Sequence, residues 1–323
     1  MEDAFGRRIN YMRVSITDRC NLGCRYCMPA TGVSLKSHEE ILRLEEIVTL
    51  VQAATQVGIR RVRLTGGEPL VRKDVVTLVR ELAKLPALEE ISLTTNGLLL
   101  NYLALPLKEA GLTRVNISLN SLRPERYRYL TRGGNIKDVW RGIRAALAAG
   151  LTPVKLNVVV VRGFNDDEIL DFAHLARQEP LHIRFIELMP IGTAANRGVG
   201  YVPVAEIRQK IAQHFSLQPL EELRGNGPAQ NFRVDEGVGS VGFIGALSEP
   251  FCHRCNRLRL TADGKLRPCL HWGEEIDVKT PLRSGASQEE LVQLFCQAVA
   301  AKPKQHHLKE GWQQPRGMSQ LGG

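Results

Sequence analysis

Six short runs rich in Val, Ile and Leu recur near residues 12–17, 60–65, 90–95, 113–119, 154–161 and 182–188, and helix-like amphipathic segments alternate with them. The clearest of these segments cover 44–57, 74–85, 99–110, 137–149 and 166–178, and a further one near 203–214 follows the sixth run. The acidic stretch Asn165-Asp166-Asp167-Glu168 opens the fifth, where a helix dipole favours negative charge. A strand that leads into a helix cannot turn straight back as a hairpin, so the chain must cross over and build a parallel sheet. Six such units over about 215 residues are too few for an eight-stranded closed barrel and predict an α/β fold built on a partial (βα)6 TIM-like barrel. Beyond that point the rhythm stops. Short strand-like pieces follow, at Ser240 to Leu247 and in a hairpin about Ala262-Asp263-Gly264, which predicts a small C-terminal subdomain over 216–323 beside the barrel of 1–215.

The polar turns fall at the carboxyl ends of the strands: Asp18 onward, Thr65-Gly66-Gly67-Glu68-Pro69, Thr94-Thr95-Asn96-Gly97, Ser118-Leu119-Asn120 and Glu187-Leu188-Met189-Pro190. Parallel α/β folds build their active sites on that face. The N-terminus lacks the apolar run of a signal peptide, and no stretch reaches the roughly 18 apolar residues that span a bilayer, so a soluble, cytoplasmic chain without membrane contact is expected. Seven cysteines, an odd number set at short spacing, argue for metal ligation rather than a secreted disulfide framework. The net charge of +9 is dispersed, without long Lys/Arg runs, and suits a polyanionic small molecule as well as nucleic acid. Arg13, Arg63, Lys155 and Arg184 sit singly inside apolar strand-like runs, where solvation alone would not place a charge.

Cys20, Cys24 and Cys27 lie within eight residues, CNLGCRYC. Three thiolates leave a four-ligand zinc site short, but they hold a four-iron cubane with one iron open to an outside ligand. With Tyr26 before the last cysteine, this stretch resembles the signature of the radical S-adenosylmethionine (SAM) superfamily, which carries it after the first strand of a partial barrel. The resemblance implies a 4Fe–4S cluster whose open iron binds the amino and carboxylate groups of SAM. Thr65-Gly66-Gly67-Glu68-Pro69 looks like the superfamily's second motif, whose backbone contacts the SAM amino group; glycine permits close approach there. Ser118 and Asn120 resemble positions that reach the SAM carboxylate and ribose, and Met189 one at the adenine end. Tyr26, Gly67, Ser118 and Met189 are thereby the expected SAM-binding residues.

Cys252, Cys255 and Cys269 form a second trio. From spacing alone, zinc completed by His253 or His271 and an iron–sulfur cluster stand level. Arg257 and Arg259 alternate along the strand that follows, so two guanidiniums share a face, which a triphosphate needs and a structural zinc does not. This pattern, with Asp263-Gly264 and Cys269-Leu270, resembles the GTP-cyclising branch of the superfamily that serves molybdenum cofactor biosynthesis. The resemblance runs from about Arg13 to the final Gly322-Gly323. It implies a second 4Fe–4S cluster whose open iron meets the guanine, and GTP contacts at Arg13, Arg63, Thr94, Lys155, Arg184, Arg257, Leu258 and Arg259. Arg61 lies beside Arg63 without a distinct assignment. Gly322 and Gly323 match a tail that enters the active site, so Arg257, Arg259, Gly322 and Gly323 stand as the catalytic set beside the six cysteines. Cys296, in a helix-like run, is most simply a core residue.

The branch's chemistry follows as an implication. An external electron donor reduces the first cluster, SAM is cleaved to a 5'-deoxyadenosyl radical, the 3'-hydrogen of GTP is removed, and the ribose carbon closes onto C8 of guanine. The product, 3',8-cyclo-7,8-dihydro-GTP, passes to the next pathway enzyme, which makes cyclic pyranopterin monophosphate. The branch leaves room for a homodimer and has no nucleic-acid partner. Two alternatives remain: a radical SAM enzyme that modifies a peptide, though such enzymes usually carry more cysteines, and a zinc-containing RNA-binding protein. The latter needs stacking aromatics, and aromatics make up only 6% of the chain. Anaerobically reconstituted protein is expected to bind about eight irons and little zinc per chain; one zinc with four irons would contradict a second cluster.

Overall fold

The computed structural model describes residues 1–191, 200–220, 227–271, 273–306 and 316–322. All six expected strands form, as β1 (Tyr11–Ser15), β2 (Arg61–Thr65), β3 (Glu90–Thr95), β4 (Arg114–Ser118), β5 (Val154–Val160) and β6 (Leu181–Glu187). The expected helices form between and after them: α1 (Leu44–Gln56), α2 (Val75–Ala83), α3 (Leu100–Glu109), α5 (Ile136–Ala148), α6 (Ile169–Gln178) and α7 (Val204–Ala212). The sequence pattern did not announce α4 (Pro124–Thr131). Its residues, PERYRYLT, carry too few apolar groups to show a period, and Pro124 at its first turn starts it instead.

The later strands are β7 (Leu217–Leu220), β8 (Gln230–Val234), β9 (Ser240–Ile244), β10 (Arg257–Leu260), β11 (Lys265–Arg267) and β12 (Ile276–Asp277), followed by α8 (Lys279–Arg283), α9 (Gln288–Ala300) and α10 (Met318–Leu321). The strands make one sheet in the order β12-β11-β10-β1-β2-β3-β4-β5-β6-β9-β8-β7. β1 to β6 are parallel in sequence order, β10 adds to β1 in parallel, and β9 adds to β6 in parallel. The residues beyond 215 therefore extend the barrel sheet at both edges, where an open parallel sheet leaves backbone groups unpaired. The expected hairpin is the antiparallel β10–β11 pair, with Leu260 opposite Leu266.

Register across this sheet sets the site. Arg259 lies opposite Arg13, Arg13 opposite Arg63, and Arg257 opposite Tyr11. The pleat sends alternate residues to opposite faces. Met12, Val14, Val62, Leu64, Ile183, Phe185, Leu258 and Leu260 are buried in the apolar core, each contributing roughly 1.5–3 kcal/mol of transfer free energy. The residues between them, Tyr11, Arg13, Arg63, Arg184, Arg257 and Arg259, line the barrel interior. An ordinary closed barrel fills that interior with branched apolar side chains; here it is hollow, with five arginines in its lining. Among the described residues no helix is long and apolar enough to cross a membrane.

Glu187, at the carboxyl end of β6, fastens the C-terminal half to this frame. Its carboxylate accepts hydrogen bonds from the backbone N–H of Val204 (3.0 Å), Leu247 (2.7 Å) and Ser248 (3.1 Å), and from the hydroxyls of Tyr201 (3.1 Å) and Ser248. Burial alone would raise its pKa, but these donors hold it below the ordinary carboxylate value. Glu187→Gln turns a donor toward N–H groups and is expected to lower stability by about 1–3 kcal/mol at pH 7. A depressed folded-state pKa contributes stability that is complete above the unfolded value and lost as pH falls through the folded one. The gap between wild type and variant in urea denaturation should therefore close below the unfolded carboxylate value, about pH 4.

Candidate active site

All six cysteines of the two trios line one cavity of about 320 Å³ at the carboxyl ends of the strands, within the range of small-molecule sites. The first trio sits on the loop that leaves β1. That loop is pinned by the Gly66-Gly67 turn after β2: Gly67 N–H donates to Thr17 C=O and Glu68 N–H to Arg19 C=O, both at 2.8 Å. A methyl group on Gly67 would stand 2.2 Å from the Arg19 carbonyl oxygen. The close approach that this glycine permits is thus to the cysteine loop itself. Glu68 then ties the turn to the end of β3, accepting from Leu70 N–H (3.1 Å), Thr95 Oγ1 (2.6 Å) and Asn96 N–H (2.7 Å). Burial pushes its pKa up to about 7 against these donors.

The two trios differ electrostatically. Burial, with each thiol's neighbours, raises Cys24 to about 12 and Cys20 and Cys27 above the usual thiol value. Such thiols give up their protons to a bound metal rather than in advance of it. At the second trio burial also raises Cys252, but the charges of Lys302 and Arg257 outweigh burial at Cys255 and lower it. Lys302 donates to the carbonyls of Arg257 and Pro268, both at 2.8 Å. Arg7 donates to those of Cys252 (2.8 Å) and Pro303 (2.7 Å), joining the loop to the segment after α9.

These residues fit the implied groups. Each trio is all-thiol and faces open cavity, which suits a cubane with one iron open. Of the two histidines near the second trio in sequence, His253 is solvent exposed, whereas His271 lines the cavity and packs edge-on against His306 at 5.7 Å. Burial, with the charges of Arg259 and His306, holds His271 at about 3 and therefore neutral. Among the described residues no three His, Cys, Asp or Glu side chains gather tightly enough for a single metal ion.

Tyr26, Gly67, Ser118 and Met189 line the cavity beside the first trio. Asn120 also lines it, and its side chain accepts from Val159 N–H (2.9 Å) to join the ends of β4 and β5. Arg13, Arg63, Thr94, Arg184, Arg257 and Arg259 line the cavity too. Burial first, then neighbouring cations, lowers Arg63 and Arg184 to about 9, Arg13 to about 9 and Arg259 to about 10. The Nε atoms of Arg13, Arg184 and Arg257 and the Thr94 hydroxyl are buried without a hydrogen-bond partner among the described residues. Lys155 is fully buried; burial, with the charges of Arg184, Arg114 and Arg63, lowers it to about 5. The Leu258 side chain lies in the apolar core on the other face of β10, which leaves its backbone, not its side chain, for any contact with a ligand. Arg61 pairs with Glu89 at 3.2 Å.

The C-terminal tail enters the cavity. Gly322 C=O accepts from Arg13 Nη2 and Thr65 Oγ1, both at 2.9 Å, and Leu321 C=O from Arg259 Nη1 at 3.3 Å. Gly322 has φ +78°, and a methyl group there would meet Thr65 Cγ2 at 2.7 Å, so glycine is required on both counts. Gly323 lies outside the described residues. Sequence reasoning missed Arg114, fully buried on β4 and paired with Glu90 at 2.5 Å, although RVNIS shows the same lone charge in an apolar run as RVRLT around Arg63. It also missed Glu68, Tyr11 and Lys302, and Lys302 carries no local signal at all.

A partial parallel barrel with a three-thiol loop after its first strand defines a radical SAM protein, and the model of the radical SAM superfamily matches residues 14–176. A second model, Molybdenum Cofactor Synthesis C, matches residues 181–308. Relatives named GTP 3',8-cyclase from Moorella thermoacetica, Heliobacterium modesticaldum and Pelotomaculum thermopropionicum are 69%, 58% and 55% identical, each over 100% of both chains. The chain belongs to the GTP 3',8-cyclase family of radical SAM enzymes. Among solved structures, Streptococcus suis SuiB bound to S-adenosylmethionine shares the fold, with a TM-score of 0.58 and 13% identity over 89% of this chain and 68% of that one.

Gly67→Ala forces the Arg19 carbonyl, and with it the first cysteine loop, out of place. Iron bound on reconstitution is expected to fall from about eight to about four per chain, while circular dichroism stays near wild type.

Proposed function

We propose that this chain converts GTP to 3',8-cyclo-7,8-dihydro-GTP, the first step of molybdenum cofactor biosynthesis. The observation that carries the proposal is that five arginines and both thiol trios line one cavity. Cys20, Cys24 and Cys27 hold one 4Fe–4S cluster and Cys252, Cys255 and Cys269 the other. When bound, the first cluster with SAM would supply the radical chemistry, and the second would supply a metal contact that anchors the substrate. Tyr26, Gly67, Ser118 and Met189 bind SAM.

The protein's own groups position and neutralise. Arg13, Arg63, Lys155, Arg184, Arg257 and Arg259, with Thr94, hold the triphosphate, which serves as a handle because no phosphoryl group is transferred. Arg257 is additionally set against the Phe251 ring, 5.0 Å from its centroid. Binding a polyanion relieves the mutual repulsion of the guanidiniums, favours the protonated form of Lys155, and gives the orphaned Nε atoms and the Thr94 hydroxyl a partner. The Leu321-Gly322 tail covers the cavity and excludes water from it. An external electron donor, transfer of the product to the enzyme that makes cyclic pyranopterin monophosphate, a homodimeric assembly and a reducing cytoplasmic setting complete the proposal.

The nucleotide dependence of SAM cleavage tests cofactor, reaction and substrate together. Reconstituted protein given SAM, a reductant and single nucleotides should release 5'-deoxyadenosine efficiently with GTP alone. Equal release with ATP, or with no nucleotide, would reject the assignment.

A further inference from the structure

Two sets of contacts of different character hold the C-terminal tail. The first is the hydrogen bonding of the Leu321 and Gly322 carbonyls to Arg259, Arg13 and Thr65. Two of these donors are guanidiniums of the proposed GTP site, and a phosphate oxygen is a stronger acceptor for them than a neutral carbonyl. The second set lies at the start of the segment, on Arg316. Its guanidinium forks onto Asp263 (Nη1 to Oδ1 and Nη2 to Oδ2, both 3.1 Å) and reaches Glu275 (Nη2 to Oε2, 2.7 Å).

The receiving carboxylates are firmly built in. Asp263, in the β10–β11 turn, also accepts from Thr261 Oγ1 at 2.6 Å and pairs with Lys36 at 3.4 Å. Lys36 is in turn held by its backbone N–H on Asp18 at 2.7 Å, and Asp18 precedes the first cysteine loop. Glu275 also pairs with the buried Arg267. The three latch side chains are between 9% and 20% exposed, and despite burial the donors hold Asp263 at about 2. A bidentate, shielded pair of this kind is far stronger than an exposed ion pair.

We propose that Arg316 is a positioning residue for the C-terminal glycines: its fork onto Asp263 and Glu275 keeps the tail at the cavity through contacts that the nucleotide does not contest. The inference rests on the proposed GTP site. When the triphosphate takes Arg13 and Arg259, the Gly322 and Leu321 carbonyls lose donors, and the latch keeps the released end at high effective concentration beside the substrate.

Hydrogen exchange of the intact, reconstituted holoenzyme, followed by mass spectrometry on the peptide covering 317–323, reads tail opening directly. Arg316→Gln should speed its exchange about tenfold or more, with exchange elsewhere unchanged. Arg316→Lys should recover part of the protection, since it keeps the charge and loses the fork. Asp263→Asn, which leaves Arg316 in place, should also speed exchange and serves where Arg316→Gln lowers iron content or folding. With saturating GTP the wild-type tail should stay protected while that of R316Q opens further. Exchange within about twofold of wild type in both R316Q and D263N would overturn the latch. Deleting Gly322 and Gly323 and measuring GTP turnover tests the proposed GTP site and its glycines separately, so each can fail alone.

Discussion

Arg13, Arg63, Arg184, Arg257 and Arg259 line one cavity inside the barrel, Lys155 is fully buried on the neighbouring β5, and Glu90 pairs with the buried Arg114. Holding them there is expensive. Lowering Arg63 from 12.5 to about 9 corresponds to roughly 5 kcal/mol of desolvation and repulsion, more than a well-buried leucine returns. A barrel selected for stability alone would fill these positions with Val, Ile or Leu. In the proposed function these cations are half of an ion pair whose other half is the triphosphate, and the large apolar core behind the strands offsets their cost.

The two trios on that cavity differ at Cys255. The first trio lies in surroundings that raise its thiols, so its charge arrives with the metal. Cationic groups from Lys302 and Arg257 surround Cys255, so the second end is already biased toward anions. Stiffness follows the same division. Short backbone contacts through Gly67 fix the first loop, whereas the tail reaches the cavity through carbonyls that share donors with the proposed substrate site. A tail held there by exchangeable contacts, and outside it by the Arg316 fork, can yield to the substrate without leaving.

Much of this was legible in the sequence, for local reasons. Strands β1 to β6 announced themselves because buried parallel strands are near-continuous apolar runs, and Arg257 and Arg259 were placed on one face by the pleat. That same alternation puts the Leu258 side chain on the other face, in the core, a consequence the family resemblance alone conceals. α4 escaped because a short, charged helix has no period to detect. Arg114 showed the signal used for Arg63 and was passed over, while Lys302 showed none, since its role is to reach two carbonyls remote from it in sequence.

Taken by itself, the sequence determined the kind of elements and the donor count: alternating strands and helices, two sets of three thiols, and single cations in apolar strands. Those are properties of residues and their near neighbours, and periodicity and ligand chemistry report them directly. Only the tertiary structure decided that β10 pairs in parallel with β1 and β9 with β6, and that both trios and the tail open on one cavity. Pairing at a sheet edge depends on which backbone groups remain unsatisfied once the whole barrel has formed. No local stretch of chain carries that sum.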